Sequence, residues 1–440
     1  MNIARTVFKL TPLAALCLGA LPASATNGML MEGYGPVATG MGGAAQAVDH
    51  GTAAMAQNPA TLALMTPTSR HDAAFGILGP RVASSMAGMG SAESSGKSYV
   101  MPAFGYARRS GNLTYGFGLF AQGGMGTEYG ADSFLAMGSG QGVRSELGVG
   151  SLLFPLAWQV TPALALGMTV DLMWSGLDMR MAASGAQLGG LVTGASGNLA
   201  AALPALGGAP WTRIDFSNNS DFTGAARSTG WGAKLGLVYK AVPGVVLGAS
   251  YRMKSSLKDM KTSADKASLS ATGGFADSGR ITVIDFQWPA MTSLGAAWQA
   301  TPALLVAADI KRIGWADVMK DFRLRYDSAG MGGSVSFALP QQWKDQTVSS
   351  IGVAYGLGAL TLRGGINHAD NPIPDALVNP LFPATVKSHY TLGAGWRFSA
   401  TGELNASLTI APSSKVTNGM GVEITHKQTN LQFMYSRQFL

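Results

Sequence analysis

The chain has 440 residues, of which 12% are charged and 59 are glycine. The charged share is about half of the roughly 25% that is usual, and glycine is about twice as frequent as usual, which argues against a soluble multidomain enzyme. An all-helical membrane protein is also disfavoured, because the apolar residues are diluted rather than gathered into spanning blocks. The longest uncharged run outside the N-terminus, residues 147–170, contains Pro155 and Pro162 and predicts two strands around a turn.

The first 25 residues have the features of a secretory signal peptide. Arg5 and Lys9 precede an apolar stretch, and small residues at 23–25 suit a signal peptidase. We expect residues 1–25 to be removed, together with Cys17, the one cysteine of the chain. Without Arg5 and Lys9, the 31 basic residues become 29 against 24 acidic ones, a formal charge of +5. This charge is too mild and too scattered to indicate nucleic-acid binding.

Alternation with a period of two indicates strands along the rest of the chain. From Leu404 to Ile410, for example, every second residue is apolar and the residues between are polar. A soluble β-sandwich would bury such apolar faces against each other, whereas a membrane barrel would expose them to lipid. The signal peptide, and the alternation of tight turns with long segments such as 184–219 and 254–278, favour the barrel.

Counting the strands between the turns gives the predicted fold class. Residues 67–440 are expected to form an all-β, transmembrane antiparallel β-barrel of about 14 strands, since an even number returns the C-terminus to the periplasm.

Residues 26–66 show no strand pattern of barrel length but are rich in small and apolar residues. A disordered tail would be more polar. We therefore expect this segment to fold inside the barrel as an N-terminal hatch, or plug.

At this point the chain resembles a known family. Residues 40–65, with Asn58, Pro59 and Ala60, resemble the hatch of the FadL/TodX family of outer-membrane transporters for long-chain fatty acids and aromatic hydrocarbons. Further similar stretches follow in order along the chain: Gly126-Thr127-Glu128-Tyr129, Gly248-Ala249-Ser250-Tyr251-Arg252, Trp288-Pro289-Ala290, Trp343-Lys344-Asp345 and Asn371-Pro372-Ile373-Pro374-Asp375. The resemblance implies a hatch-gated barrel, an apolar binding region open to the outside, and lateral exit at a kink in the third strand.

The resemblance also implies residues for a ligand head group. Lys344 resembles the lysine that family members use for a bound carboxylate, and Arg180 and Arg252 are further candidates. Such a partner matters because an unpaired buried carboxylate is costly. Arg180 falls one residue from the expected register and Ala121 replaces a serine of the family, so a neutral hydrocarbon stays open as an alternative ligand. For each cation, the alternative role is an internal ion-pair network that braces the hatch against the wall.

Consecutive glycines suggest where the third strand would break. Gly123 and Gly124 are the expected kink, because glycine permits an interruption of the ladder that bulkier residues resist.

Together these features predict passive uptake of hydrophobic small molecules, either long-chain fatty acids or related hydrocarbons. The expected setting is the outer membrane of a Gram-negative bacterium, where a monomer contacts membrane lipid and lipopolysaccharide. A general hydrophilic diffusion porin is the alternative function, although it would need a lumen denser in charge. No cofactor or metal motif is apparent. An outer-membrane hydrolase would need a nucleophile motif, and none lies beside the dispersed histidines His71, His368, His389 and His426. An enzyme is therefore not expected.

Overall fold

The computed structural model describes residues 27–66, 68–220 and 223–439. The predicted signal peptide at residues 1–25 lies outside the described residues.

The described residues form 23 strands. In chain order they are β1 (Ser69–Met86), β2 (Gly90–Glu93), β3 (Tyr99–Ser110), β4 (Leu113–Tyr129), β5 (Val143–Gln159), β6 (Leu164–Ala183), β7 (Val192–Ser196), β8 (Thr212–Phe216), β9 (Ala226–Val242), β10 (Val245–Arg252), β11 (Ser256–Leu257), β12 (Met260–Lys261), β13 (Ala267–Ala271), β14 (Phe275–Ile284), β15 (Met291–Gln299), β16 (Leu304–Ile313), β17 (Asp321–Ser328), β18 (Ser334–Pro340), β19 (Gln346–Leu357), β20 (Leu360–Ala369), β21 (Ser388–Arg397), β22 (Gly402–Thr417) and β23 (Val422–Phe439).

Helices are short in the described part of the chain. The α-helices are α1 (Gly35–Thr39), α2 (Gly185–Gly190), α3 (Gly197–Gly207) and α4 (Trp315–Val318), and the 3₁₀ helices span Gly51–Ala56, Pro59–Leu64, Phe134–Ala136 and Asp375–Leu377. None of these helices combines the length and apolar character needed to cross a membrane.

The strands belong to one sheet that closes on itself. β1 pairs antiparallel with β3 on one side and with β23 on the other, where Ser69 lies opposite Phe439. The order around the wall is β1, β3, β4, β5, β6, β9, β10, β15, β16, β19, β20, β21, β22 and β23, each antiparallel to its neighbours. Closure pairs strand edges that lipid could not satisfy.

The prediction of about fourteen strands is wrong for the sheet as a whole, because the described sheet contains 23 strands: the fourteen that follow one another around the wall and nine more. Additional strands lie in the two long segments between the turns: residues 184–219 contain β7 and β8, and residues 254–278 contain β11, β12 and β13. These strands pair with each other and with longer strands, as β13 does with β8 and β14.

The wall strands do show that alternation. On β6, Leu166, Met168, Val170, Leu172 and Trp174 are each at least 40% exposed, while the residues between them are buried. Large apolar side chains that are this exposed require an apolar environment rather than water. The outer face of the wall is therefore suited to lipid.

Residues 27–65, here called the N-terminal segment, are almost entirely buried. Glycines of the wall permit their close approach. A Cβ at Gly236 would lie 2.2 Å from Oδ1 of Asn58, and a Cβ at Gly167 would lie 2.3 Å from the backbone nitrogen of Ala60. Part of the glycine surplus thus serves to seat this segment against the inner face of the barrel.

Candidate functional site

The hydrogen-bonded ladder between β3 and β4 stops partway along the wall. Its last described pair joins Ala103 to Phe120. β3 nevertheless extends to Tyr99 in pairing with β1, and β4 extends to Tyr129 in pairing with β5. The two strands therefore diverge and leave a gap in the barrel wall.

β4 is bulged beside this gap. Its register against β5 shifts between Ala121 and Gly123. Gly123 has a φ of 146°, which L side chains rarely adopt, and a Cβ there would lie 2.1 Å from the carbonyl oxygen of Met29. A Cβ at Gly124 would likewise lie 2.2 Å from the carbonyl oxygen of Leu147. Side chains at these two positions would displace the neighbouring backbone, so the bulge depends on glycine.

The start of the N-terminal segment occupies the bulge. Leu30 forms an isolated antiparallel bridge with Gly123, and the backbone N–H of Gly124 donates a hydrogen bond to the carbonyl oxygen of Met29 at 3.1 Å. At the level where β4 loses β3, the N-terminal segment thus supplies a backbone partner.

A cavity of about 430 Å³ lies at the gap. Val100, Leu119 and Trp174 from the exposed outer face contribute to its lining, and so do Leu147 and Val149 from the buried inner side. A cavity that is lined from both faces passes through the wall. Its remaining lining includes further apolar side chains: Leu78, Val82, Met101, Pro102, Ala121 and Met125.

Polar side chains of the lining are largely engaged with one another or with backbone. Ser175 and Ser228 share a hydrogen bond of 2.8 Å between their hydroxyls. Arg227 donates from Nε to the carbonyl oxygen of Gly224 at 2.7 Å. The cavity therefore offers a mainly apolar surface to a ligand.

Residues 370–387, here called the inward loop, connect β20 to β21 and cover one side of the cavity with Pro383 and Ala384. Side chains of three wall strands donate hydrogen bonds to carbonyl oxygens of this loop. The bonds run from Thr127 to Pro380 at 3.1 Å, from Tyr129 to Pro380 at 3.2 Å, from Ser145 to Leu381, and from His426 to Pro383 at 2.7 Å.

Two buried charged residues of β16 hold the N-terminal segment. Oδ2 of Asp309 accepts hydrogen bonds from the backbone N–H groups of Ala45 at 2.9 Å and Gln46 at 3.1 Å. Nζ of Lys311 donates to the carbonyl oxygen of Gly43 at 3.1 Å. The segment is thus tied to the wall by charge-assisted bonds as well as by packing.

The Asn58-Pro59-Ala60 motif lies where the N-terminal segment meets β9. Nδ2 of Asn58 donates to the carbonyl oxygens of Gln46 at 2.7 Å and of Leu237 on β9 at 3.2 Å. Its Oδ1 accepts from the backbone N–H of Ala60 at 3.1 Å, which caps the 3₁₀ helix Pro59–Leu64. Asn58 therefore joins a helix start to the wall.

The three predicted head-group cations lie on different elements, and none of them lines the cavity. Lys344 is exposed in the connection between β18 and β19. Arg180 on β6 forms an ion pair with Asp215 on β8 at 3.5 Å. Arg252 is buried at the end of β10, where it interacts electrostatically with Asp171.

Sequence reasoning missed the inward loop and the position of His426 in the cavity lining. Prolines at positions 372, 374, 380 and 383 gave one signal, because they restrict the backbone and favour an ordered loop. The contact of His426 with this loop spans 43 residues of sequence and had no local signal.

Within the three described ranges, no group of three or more His, Cys, Asp and Glu residues is placed to hold a metal ion.

Part of the chain is similar in sequence to a curated protein. An uncharacterized protein in the phosphoenolpyruvate carboxykinase gene 5' region of Chlorobium limicola is 48% identical over 62 residues. The match covers 14% of this chain and 30% of that relative, so the chain spans about a third of the curated relative that it matches.

Solved structures match over nearly the whole chain. The P. putida toluene transporter TodX is 33% identical, with a TM-score of 0.84, and the match covers 93% of this chain and 99% of that one. The Ralstonia pickettii toluene transporter TbuX is 30% identical, with a TM-score of 0.79 and the same coverage. The model of the outer membrane protein transport protein family (OMPP1/FadL/TodX) matches residues 18–438. The chain is therefore an outer-membrane protein that belongs to the OMPP1/FadL/TodX family of transport proteins.

Proposed function

We propose that this protein mediates passive uptake of hydrophobic small molecules across the outer membrane. Residues 26–66 act as the hatch, and the ligand leaves sideways through the gap between β3 and β4. The observation that carries this proposal is the cavity at the end of the β3–β4 ladder, where Leu147 from the inner side and Trp174 from the outer face line the same space.

The cavity favours a neutral single-ring hydrocarbon over a fatty acid. Its volume is about 430 Å³, and an apolar cavity of roughly 150 Å³ is enough to bind benzene. A carboxylate would need a cation, and it would have to share Arg227 of the lining, whose Nε already donates to the carbonyl oxygen of Gly224. The similarity to two toluene transporters supports the same ligand class.

The route follows from the position of the inward loop. A ligand from outside passes this loop, enters the cavity, and moves through the gap into the lipid that surrounds the wall. An apolar molecule loses little by moving from an apolar cavity to lipid, so the step needs no energy source. We further propose that the protein acts as a monomer in contact with membrane lipid and lipopolysaccharide, without enzymatic activity.

A general hydrophilic porin is not supported by the same observations. The N-terminal segment is buried inside the barrel, and its Asp309 and Lys311 anchors are bonded to it rather than free to line a water-filled channel.

We separately propose Lys344 as the residue that would meet a carboxylate head group. Lys344 is exposed and accessible to a ligand that approaches from solvent. Arg180 would have to release Asp215, and Arg252 would have to leave its buried position, before either could bind a head group.

The lateral route is tested by filling the gap. Ala121 lines the cavity beside the point where the ladder ends, so Ala121→Trp is expected to lower toluene uptake at least tenfold. Uptake is measured with labelled toluene in vesicles whose outer leaflet contains lipopolysaccharide. Ala296→Trp is the matched control, since Ala296 is exposed on β15 and lies outside the cavity lining.

Equal uptake by the two variants would contradict the lateral route. Swelling of the vesicles in small sugars without any toluene uptake by the unmodified protein would contradict the proposed function itself.

A further inference from the structure

Three structural features of His426 on β23 have no role in the uptake of a plain hydrocarbon. It lines the cavity, its side chain is buried, and one of its ring nitrogens lacks a hydrogen-bond partner among the described residues. The unpartnered atom is Nε2. Burial of a polar atom without a hydrogen-bond partner costs free energy, so such atoms are uncommon in folded proteins.

The other ring nitrogen determines which chemistry Nε2 offers. Nδ1 lies 2.7 Å from the carbonyl oxygen of Pro383. A carbonyl oxygen only accepts hydrogen bonds, so Nδ1 must carry the proton. In the neutral imidazole, Nε2 then carries a lone pair and acts as an acceptor.

Several other polar groups of the cavity form hydrogen bonds within the protein. The hydroxyls of Ser175 and Ser228 bond to each other, and Nε2 of Gln428 donates to Asn430 at 2.9 Å. Nε2 of His426 is therefore a buried acceptor that has no partner among the described residues, on a side chain that lines a mainly apolar space.

We propose that His426 makes the cavity selective for aromatic molecules that carry one hydroxyl group, such as phenols, over the corresponding hydrocarbons. The ligand hydroxyl donates its hydrogen bond to Nε2, while the ring occupies the apolar part of the cavity. The inference rests on the proposed function, because it assigns a ligand subclass to the same cavity.

The probes are 4-methylphenol and toluene, which differ by a single hydroxyl. The dissociation constants of both are measured at about pH 8, above the usual imidazole pKa of about 6.5, so that the ring is neutral. Fluorescence of the whole protein reports binding, since Trp174 lines the cavity. The ratio of the two constants is compared between variants, because detergent partitioning affects each probe equally in all of them.

His426→Phe removes both ring nitrogens and is expected to reduce the preference for 4-methylphenol by about three- to tenfold. His426→Asn keeps an amide that can donate to the Pro383 carbonyl but has no atom at the Nε2 position, and it is expected to lose the same preference. His368→Phe is the control, since His368 is exposed on β20 and lies outside the cavity lining.

An unchanged ratio in His426→Phe would overturn the inference, and so would full preference in His426→Asn, which would assign the effect to the loop contact instead. Binding of neither probe to the unmodified protein would contradict the proposed function. Binding of both probes with no effect of His426 would contradict this inference alone.

Discussion

The backbone N–H of Gly124 donates a hydrogen bond of 3.1 Å to the carbonyl oxygen of Met29, which joins the start of the N-terminal segment to the bulge of β4. The bond lies beside the gap where β4 has separated from β3. In this arrangement the N-terminal segment and the wall opening are directly bonded. A change at the bulge is therefore expected to affect the N-terminal segment.

Gly123→Ala tests this coupling. The new Cβ would lie 2.1 Å from the Met29 carbonyl oxygen, at a φ that alanine rarely adopts. We expect a loss of stability on the order of 1–3 kcal/mol and cleavage near residues 29–30 by added protease. Gly356→Ala on β19 is the control, because a Cβ there would have its nearest contact at 3.8 Å. Equal protease resistance in both variants would show that the bulge and the N-terminal segment are independent.

Asp309→Asn should loosen the middle of the N-terminal segment. The carboxylate accepts from two backbone N–H groups, of Ala45 and Gln46, and the amide has fewer acceptor sites and no charge. We expect faster hydrogen exchange in the peptide that contains residues 45–46, corresponding to about 1–3 kcal/mol of lost protection.

Asp317→Asn is the control for this experiment. Asp317 is exposed and pairs with Lys254 at 2.7 Å, and this hydrogen bond lowers the pKa of the Asp317 carboxyl. Surface pairs contribute little to stability, so exchange at residues 45–46 should stay unchanged. Acceleration by Asp317→Asn, or its absence in Asp309→Asn, would contradict the anchoring role.

Removal of three donors should release the inward loop. Thr127→Val, Tyr129→Phe and Ser145→Ala together leave the Pro380 and Leu381 carbonyl oxygens without these bonds. In this background, Leu381→Cys should react with maleimide several-fold faster than Leu381→Cys alone. The label is specific if Cys17 is removed with the signal peptide. Equal labelling rates would mean that these bonds do not hold the loop.

Lys344→Ala should lower the uptake of a charged ligand but not of a neutral one. Lys344 is exposed and lies outside the cavity lining, so toluene uptake should be unaffected. Uptake of a fatty acid should fall several-fold if Lys344 meets the carboxylate. An equal loss for both ligands in a correctly folded barrel would make the lysine structural.

Local sequence patterns predicted the elements that depend on local chemistry. The uncharged run 147–170 does form the end of β5, a turn and the start of β6, because prolines and alternation act within a few residues. The outward apolar face of β6 follows from the same period.

Pairing between distant segments was not predictable in this way. β7 bonds to β18 and β13 bonds to β8, and both strands lie in the long segments between the turns, where we predicted no separate strand at either position. Beyond the end of the β3–β4 ladder, the bulge of β4 bonds to Met29 and Leu30, and a pattern of alternating residues within one strand cannot predict such a contact. His426 likewise gains its place in the cavity through a loop that arrives from elsewhere in the sequence.

We expect the ligand to cross the wall between β3 and β4. This route is tested by mapping the residues that a photoreactive toluene analogue labels in the membrane-embedded protein. Labels are expected on Leu147 and Val149 inside, with enrichment on Val100 and Leu119 outside relative to the exposed Leu294 and Ile351 elsewhere on the wall. Ala121→Trp should remove that enrichment. Labels on Leu147 and Val149 with no enrichment on Val100 and Leu119 would contradict the lateral exit.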